Sequence, residues 1–145
     1  MQPPFASHAG TDWVLVTGQP GCGKTTAVKT LVDELRASGA SVRGFYTDEV
    51  LQSGRRVGFD IVTVPDGRRG PLARKGAAGP KVGAYGVDLD GFERLALPTL
   101  EVDDDDDTIY VLDEIGRMEL KSEAFATRVE ELLARACGWS ARSRP

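Results

Sequence analysis

A chain of 145 residues with 41% hydrophobic content is long enough to form one domain around a buried core. It has no apolar stretch of the roughly 18 residues that a membrane span requires. Its net charge of −4 comes from one run, Asp103–Asp107, without which 17 acidic residues face 18 basic ones. We interpret that run as a solvated loop.

Residues 1–12 lack the basic start and apolar middle of a secretory signal and are predicted to be a disordered leader. Two cysteines, Cys22 and Cys137, cannot form a secreted disulfide framework, so we expect a cytoplasmic protein. Residues 13–137 are predicted to form the domain and residues 138–145 an irregular tail.

The first predicted element is the apolar strand Trp13–Val16, which leads into a glycine-rich segment with the spacing G-x-x-x-x-G-K-[ST]. Glycines let successive backbone N–H groups turn inward around a phosphate, and the next helix presents its positive end to the same anion. Lys24 adds a charge for the β- and γ-phosphates, and Thr25 can complete the shell of a Mg²⁺ ion. The predicted phosphate loop comprises Gly18, Gln19, Pro20, Gly21, Cys22, Gly23, Lys24 and Thr25.

Periodicity predicts a helix over Lys24–Ser38, because its apolar residues recur at helical spacing before Gly39. A strand over Ser41–Thr47 would complete a right-handed parallel βαβ unit with Trp13–Val16. The apolar residues that define the helix are Val28, Leu31, Val32 and Leu35.

Residues Val50–Val64 are predicted to form an antiparallel hairpin arm, with Gln52–Arg55 as its turn. A short strand over Val82–Val87 follows. Asp90 is predicted to cap a helix that runs to about Leu100.

Positive charge is concentrated between residues 55 and 81, where seven cations face only Asp60 and Asp66. Such a segment suits either a triphosphate or an ordinary solvated surface. The lack of interleaved aromatic residues other than Phe59 argues against nucleic acid. The cations are Arg55, Arg56, Arg68, Arg69, Arg74, Lys75 and Lys81.

The apolar strand Thr108–Leu112 ends in Asp113 and Glu114. In a phosphate-loop protein, an acidic residue at the carboxyl end of a buried strand holds the water shell of Mg²⁺. We therefore assign Asp113, together with Thr25, to the metal. The adjacent Glu114 can orient and deprotonate an attacking water. The pair therefore favours hydrolysis over phosphoryl transfer to another substrate.

The last predicted helix has an apolar face that we assign to core packing. Its residues are Phe125, Val129, Leu132, Leu133 and Ala136.

Four segments together resemble the THEP1-type nucleoside-triphosphatases, and the resemblance extends from about Val14 to about Leu133. These segments are Gly44–Val50, Arg69–Arg74, Ala96–Pro98 and Asp113–Leu120. The resemblance implies an α/β fold of the P-loop NTPase type, a three-layer αβα sheet with an antiparallel hairpin insertion. We expect the protein to be a monomer. It also implies Mg²⁺-dependent hydrolysis of nucleoside triphosphates, including ATP and GTP, with broad base tolerance and slow turnover.

Carried over to this sequence, the resemblance makes Glu114 the general base and Lys24 the second catalytic residue. It also implies that a second segment contacts the nucleotide. The residues of this segment are Ile109, Tyr110, Val111, Leu112, Asp113, Glu114, Ile115 and Gly116. Arg117 departs from the pattern, since the family usually has Lys there, and this keeps the charge but changes its geometry.

The C-terminus departs further from the family pattern. Members of the family continue into another buried strand after this helix, whereas Cys137–Pro145 contains no apolar run that could form one. We therefore expect the sheet to lack one or more C-terminal strands, including one between Trp13–Thr17 and Thr108–Leu112. Two alternatives to a triphosphatase stay open. One is a P-loop kinase for a nucleoside or metabolite with Arg68–Lys75 as its lid, and the other is a non-catalytic nucleotide-binding product.

Overall fold

The computed structural model describes residues 24–101, 108–113 and 116–136. Three α-helices, six strands and one 3₁₀ turn lie within these ranges. In chain order they are α1 (Lys24–Ala37), β1 (Val42–Gln52), β2 (Arg55–Val64), β3 (Arg69–Lys75), β4 (Lys81–Val82), β5 (Tyr85–Val87), α2 (Leu89–Thr99), β6 (Ile109–Leu112), the 3₁₀ turn (Glu119–Lys121) and α3 (Glu123–Ala136).

The strands form one mixed sheet in the order β4-β5-β3-β2-β1-β6. β1 and β2 are an antiparallel hairpin, and β6 runs parallel to β1 with Val42 opposite Ile109 and Phe45 opposite Leu112. The predicted hairpin turn is confirmed at Ser53 and Gly54, which both have positive φ. The predicted end of the first arm at Thr47 is wrong, because β1 continues unbroken to Gln52 and pairs with β2 along its length.

Helices cover both faces of the sheet, which confirms the predicted three-layer α/β fold. On β1, Val42 belongs to the core cluster beneath α1, whereas Phe45 belongs to the cluster beneath α2 and α3. Side chains three positions apart on a strand point to opposite faces. The rings of Phe45, Phe92 and Phe125 meet in the larger core with centroids 5.1–5.8 Å apart.

The predicted first helix is confirmed, since α1 ends just before Gly39, whose φ is +87°. The predicted cap of α2 is wrong by two residues. Asp88 is the N-cap, and its Oδ1 accepts a hydrogen bond from the Gly91 N–H at 3.0 Å. Asp90 instead lies in the first turn, where a carboxylate interacts favourably with the helix dipole.

Two further expectations need correction. The strand predicted over Val82–Val87 is divided into β4 and β5, because the chain turns at Gly83, whose φ is +59°. Leu133 on α3 is 42% exposed, whereas Phe125, Val129 and Leu132 are buried as predicted. The apolar face of α3 is therefore narrower than the sequence suggested.

Gly44 allows β1 and β6 to approach each other. Its φ is +137°, and a Cβ at this position would lie 1.9 Å from the Val111 carbonyl oxygen. A side chain at residue 44 would therefore force these two strands apart.

Several predicted segments lie outside the described residues. They are the leader, the strand Trp13–Val16, most of the phosphate loop (Gly18–Gly23), the acidic run Asp103–Asp107, Glu114 with Ile115, and the C-terminal tail. The expected missing strand beside Trp13–Thr17 therefore stays a prediction. None of the described helices combines the length and apolarity needed to cross a bilayer.

Candidate functional site

The chain path brings the start of α1 and the end of β6 to one edge of the sheet. A short turn joins the end of α1 to the start of β1, so α1 packs back along β1 and begins above the carboxyl end of that strand. β6 is parallel to β1, so Asp113, which follows it, lies at the same edge. Lys24, the first residue of α1, and Asp113 thus belong to one end of the molecule. We call this end the carboxyl edge.

Asp113 is held rigidly at this edge by the neighbouring strand. Its side chain is buried, and its Oδ2 accepts hydrogen bonds from the Thr47 backbone N–H at 3.1 Å and from the Thr47 hydroxyl at 3.3 Å. Thr47 lies on β1, just beyond the last residue pair of the β1–β6 ladder. These two hydrogen bonds fix the orientation of the carboxylate.

The rest of the predicted nucleotide-contacting segment is largely committed to packing. Tyr110 and Leu112 pack against the larger core and Val111 against the smaller one, and all four residues of β6, including Ile109, are half-buried. The Tyr110 hydroxyl also donates to the Glu101 carbonyl at 2.6 Å. β6 therefore serves chiefly to place Asp113.

The loop after Asp113 is fastened by a buried carboxylate. The Gly116 N–H donates to Glu119 Oε2 at 3.1 Å, and Glu119 is only 3% exposed. Glu114 and Ile115, which the sequence assigns to the site, fall within this loop but outside the described residues. The contact holds Gly116, the first described residue after them.

Five charged side chains form a continuous ionic network on the face of the sheet that α1 covers. Asp60, on β2, is its centre, with Oδ2 2.7 Å from Arg69 Nε and Oδ1 2.6 Å from Arg74 Nη2. Asp48 Oδ2 lies 3.1 Å from Arg69 Nη1 and 3.9 Å from Lys29 Nζ on α1. The hydrogen bond to Asp60 raises the pKa of Arg69 above its ordinary value, with a smaller contribution from Asp48, so Arg69 stays cationic.

This network corrects the interpretation of the basic segment. Residues 69–75 are β3, an interior strand of the sheet, and not the lid that a kinase would need. Arg69 and Arg74 are paired with carboxylates, and so is Arg56, which lies 2.5 Å from Glu49. Much of the positive charge counted from the sequence is therefore neutralised locally.

The Asp113 carboxylate at the carboxyl edge is a ligand of the kind that suits Mg²⁺. Asp113 offers a carboxylate that its hydrogen bonds to Thr47 hold in one orientation. Magnesium is commonly bound by one or two such oxygen ligands together with substrate phosphates.

Sequence reasoning missed three residues of this region: Thr47, Asp60 and Glu119. Thr47 and Glu119 lie within the segments that carry the family resemblance, but their hydrogen bonds to Asp113 and Gly116 depend on the fold. Asp60 gave one usable signal, since a carboxylate lies within the otherwise apolar stretch from Phe59 to Val62.

Comparison with known proteins adds to this geometry. A family model described as NTPase matches residues 13–137. The chain belongs to this NTPase family.

Named members of the NTPase family align with most of the chain. The human cancer-related nucleoside-triphosphatase is 47% identical, over 83% of this chain and 68% of its own length. The nucleoside-triphosphatase THEP1 of Methanothermobacter thermautotrophicus is 44% identical, over 83% of this chain and 70% of its own length.

Two solved structures of the NTPase family have the same fold. The solution structure of the human cancer-related nucleoside triphosphatase superposes with a TM-score of 0.69 at 46% identity, covering 84% of this chain and 69% of that one. The crystal structure of THEP1 from Aquifex aeolicus gives a TM-score of 0.70 at 40% identity, covering 81% and 67%. The described fold is therefore that of the NTPase family.

Proposed function

We propose that the protein hydrolyses nucleoside 5′-triphosphates, including ATP and GTP, to the diphosphate and inorganic phosphate with Mg²⁺. The observation that carries this proposal is the rigid placement of Asp113 at the carboxyl edge, where α1 also begins. Membership of the NTPase family supports the same reaction, since its aligned members are named as nucleoside-triphosphatases.

Each predicted site residue has a distinct role in this proposal. The phosphate loop, Gly18–Thr25, binds the phosphates through backbone N–H groups, and Lys24 places a positive charge beside them. Asp113 and Thr25 would hold Mg²⁺, which when bound neutralises phosphate charge. The hydrogen bonds from Thr47 hold the Asp113 carboxylate in one orientation.

Glu114 is the proposed general base. A carboxylate within hydrogen-bond reach of a water can accept its proton as the water oxygen attacks the terminal phosphorus and the β–γ bridging oxygen leaves with the diphosphate. The buried hydrogen bond between Gly116 and Glu119 fixes the backbone two residues after Glu114.

Release of phosphate from ATP or GTP in the absence of any acceptor tests the proposal. We expect one inorganic phosphate and one nucleoside diphosphate for each nucleoside triphosphate consumed. We also expect EDTA to stop the reaction, because it removes Mg²⁺. Turnover only when a nucleoside or metabolite is added would identify a kinase instead. Binding of Mg²⁺-nucleotide without product formation would identify a non-catalytic nucleotide-binding protein.

A further inference from the structure

Arg69 has one terminal nitrogen that the ionic network does not use. Its Nε donates to Asp60 and its Nη1 donates to Asp48, which fixes two edges of the planar guanidinium. Within the described part of the chain, nothing accepts a hydrogen bond from Nη2, and the side chain is 47% exposed. A guanidinium held in this way offers its remaining N–H groups in a fixed direction, which favours binding of an anion.

Arg74 binds the same carboxylate, but both of its terminal nitrogens already donate hydrogen bonds to the protein. Its Nη2 donates to Asp60 at 2.6 Å, and its Nη1 donates to the carbonyl oxygens of Phe59 and Ala73 at 3.0 and 2.9 Å. These partners join β2 to β3. Arg74 is therefore a structural clamp, whereas Arg69 is tied to the sheet and still able to bind.

The charge balance of the network also favours an anion. Asp48 and Asp60 face each other across β1 and β2, and two carboxylates in that position repel. The three cations Lys29, Arg69 and Arg74 exceed them by one charge. The excess of positive charge therefore leaves the network able to bind one further anionic group.

The network touches both elements that carry the proposed nucleotide site. Asp48 directly follows Thr47 on β1, and its side chain points to the α1 face, opposite to the Thr47 hydroxyl that contacts Asp113. On the other side, Lys29 on α1 approaches the same Asp48 oxygen that Arg69 binds. Lys29 is five residues after Lys24, a rise of about 7.5 Å along the helix axis. Arg69 thus lies beside the carboxyl edge, over the strand that anchors Asp113.

We propose that Arg69 binds the terminal phosphate of the bound nucleoside triphosphate and so distinguishes a triphosphate from a diphosphate. This inference rests on the proposed function. The terminal phosphate is present in the substrate and absent from the product, so its recognition distinguishes the two. Its negative charge would balance the one positive charge by which the network's cations exceed its carboxylates. Asp48 and Asp60 act as positioning residues, because they hold the guanidinium without touching the nucleotide.

Equilibrium titration of the full chain with Mg-ATP and with Mg-ADP tests this role. We expect Arg69→Gln to weaken ATP binding by about 10–100-fold, as for loss of a charge-assisted hydrogen bond, and to leave ADP binding within about twofold. The matched control is Arg74→Gln, which removes the other partner of Asp60. It should lower the thermal midpoint while keeping the wild-type ratio of ADP to ATP dissociation constants.

Arg69→Lys covers the case in which Arg69→Gln does not fold. It keeps a cation beside Asp60 but cannot reach Asp48 and a phosphate at once, so it should reduce the ratio of dissociation constants by about 3–10-fold. A wild-type ratio in Arg69→Lys, or equal effects of Arg69→Gln and Arg74→Gln on that ratio, would overturn the proposal. A wild-type chain that binds ATP without releasing phosphate would reject the proposed hydrolysis, and the ratio would still decide the role of Arg69. A chain that binds neither nucleotide rejects both.

Discussion

Asp113 and Glu114 are neighbours in sequence, yet we assign them different chemistry. Asp113 is buried and accepts two hydrogen bonds from Thr47, which suits a fixed ligand. A general base instead must approach a water and change its protonation state during the reaction. Single substitutions that remove charge while keeping shape separate these roles.

We expect Asp113→Asn to act through the metal. The amide retains one oxygen that can accept from Thr47 but loses the negative charge, so Mg²⁺ should bind less tightly. A titration of activity against Mg²⁺ should show the half-maximal concentration raised by at least about tenfold. Activity that falls at every Mg²⁺ concentration, with an unchanged midpoint, would contradict a metal role.

Glu114→Gln should act on the chemical step alone. Loss of the general base is expected to reduce turnover by roughly 10²–10⁴-fold while Mg²⁺-nucleotide binding persists. Single-turnover phosphate release together with calorimetric titration separates the two quantities. A variant that loses binding to the same extent as turnover would instead make Glu114 a metal or structural residue.

The contact between β1 and β6 determines where the carboxyl edge is formed. Gly44 is the residue that permits it, because a Cβ there would overlap the Val111 carbonyl, a backbone atom that cannot move without its strand. Thr47 reaches Asp113 only if these two strands keep their spacing. Stability and site geometry therefore depend on the same glycine.

Gly44→Ala should destabilise the protein by about 2–5 kcal/mol, the size expected for a backbone clash combined with an unfavourable φ. Gly54→Ala is the matched control, since Gly54 also has a positive φ (+77°) but has nothing within 4 Å of its added Cβ. That change should cost only roughly 1–2 kcal/mol. Urea unfolding of both variants measures the difference. Equal losses would show that φ, and not strand spacing, makes Gly44 necessary.

Sequence periodicity predicted the elements whose signals are local. The span of α1, the turn at Ser53 and Gly54, and the strand before Asp113 each depend on residues within one segment. The cap of α2 was displaced because Asp88 and Asp90 are both good cap residues, and packing of Leu89 and Phe92 against the core decides between them. The length of β1 was missed because pairing with β2 extends it.

The ionic network could not have been predicted from spacing. Asp48, Asp60 and Arg69 lie on three different strands, and they meet only because of the register of the sheet and its bulge between Phe59 and Asp60. Counting charges along the sequence therefore identified the basic segment but not the carboxylates that pair with Arg56, Arg69 and Arg74. The phosphate loop is predicted from residues adjacent in the chain, and because Gly18–Gly23 lie outside the described residues it stays a prediction.

At the scale of the whole molecule, the proposed site is made by elements from the two ends of the domain. α1 begins the described chain, whereas β6 and the loop after it come some 85 residues later, and β1 is the strand that joins them. A ligand that contacts both α1 and the loop after β6 should consequently stabilise the fold, because it adds contacts that the unfolded chain cannot make.

We therefore expect Mg²⁺-nucleotide to raise the thermal midpoint of the whole chain. At a free concentration of about 100 times the dissociation constant, the stabilisation is about 2.7 kcal/mol, which corresponds to roughly 8–13 °C for a domain of this size. Lys24→Ala should lose most of this increase, because it removes the charged side chain of the phosphate loop, while Lys75→Ala, at the exposed end of β3, should keep it. Scanning calorimetry with and without Mg²⁺-ATP makes the comparison. An increase of the same size in Lys24→Ala would place the nucleotide somewhere other than the start of α1.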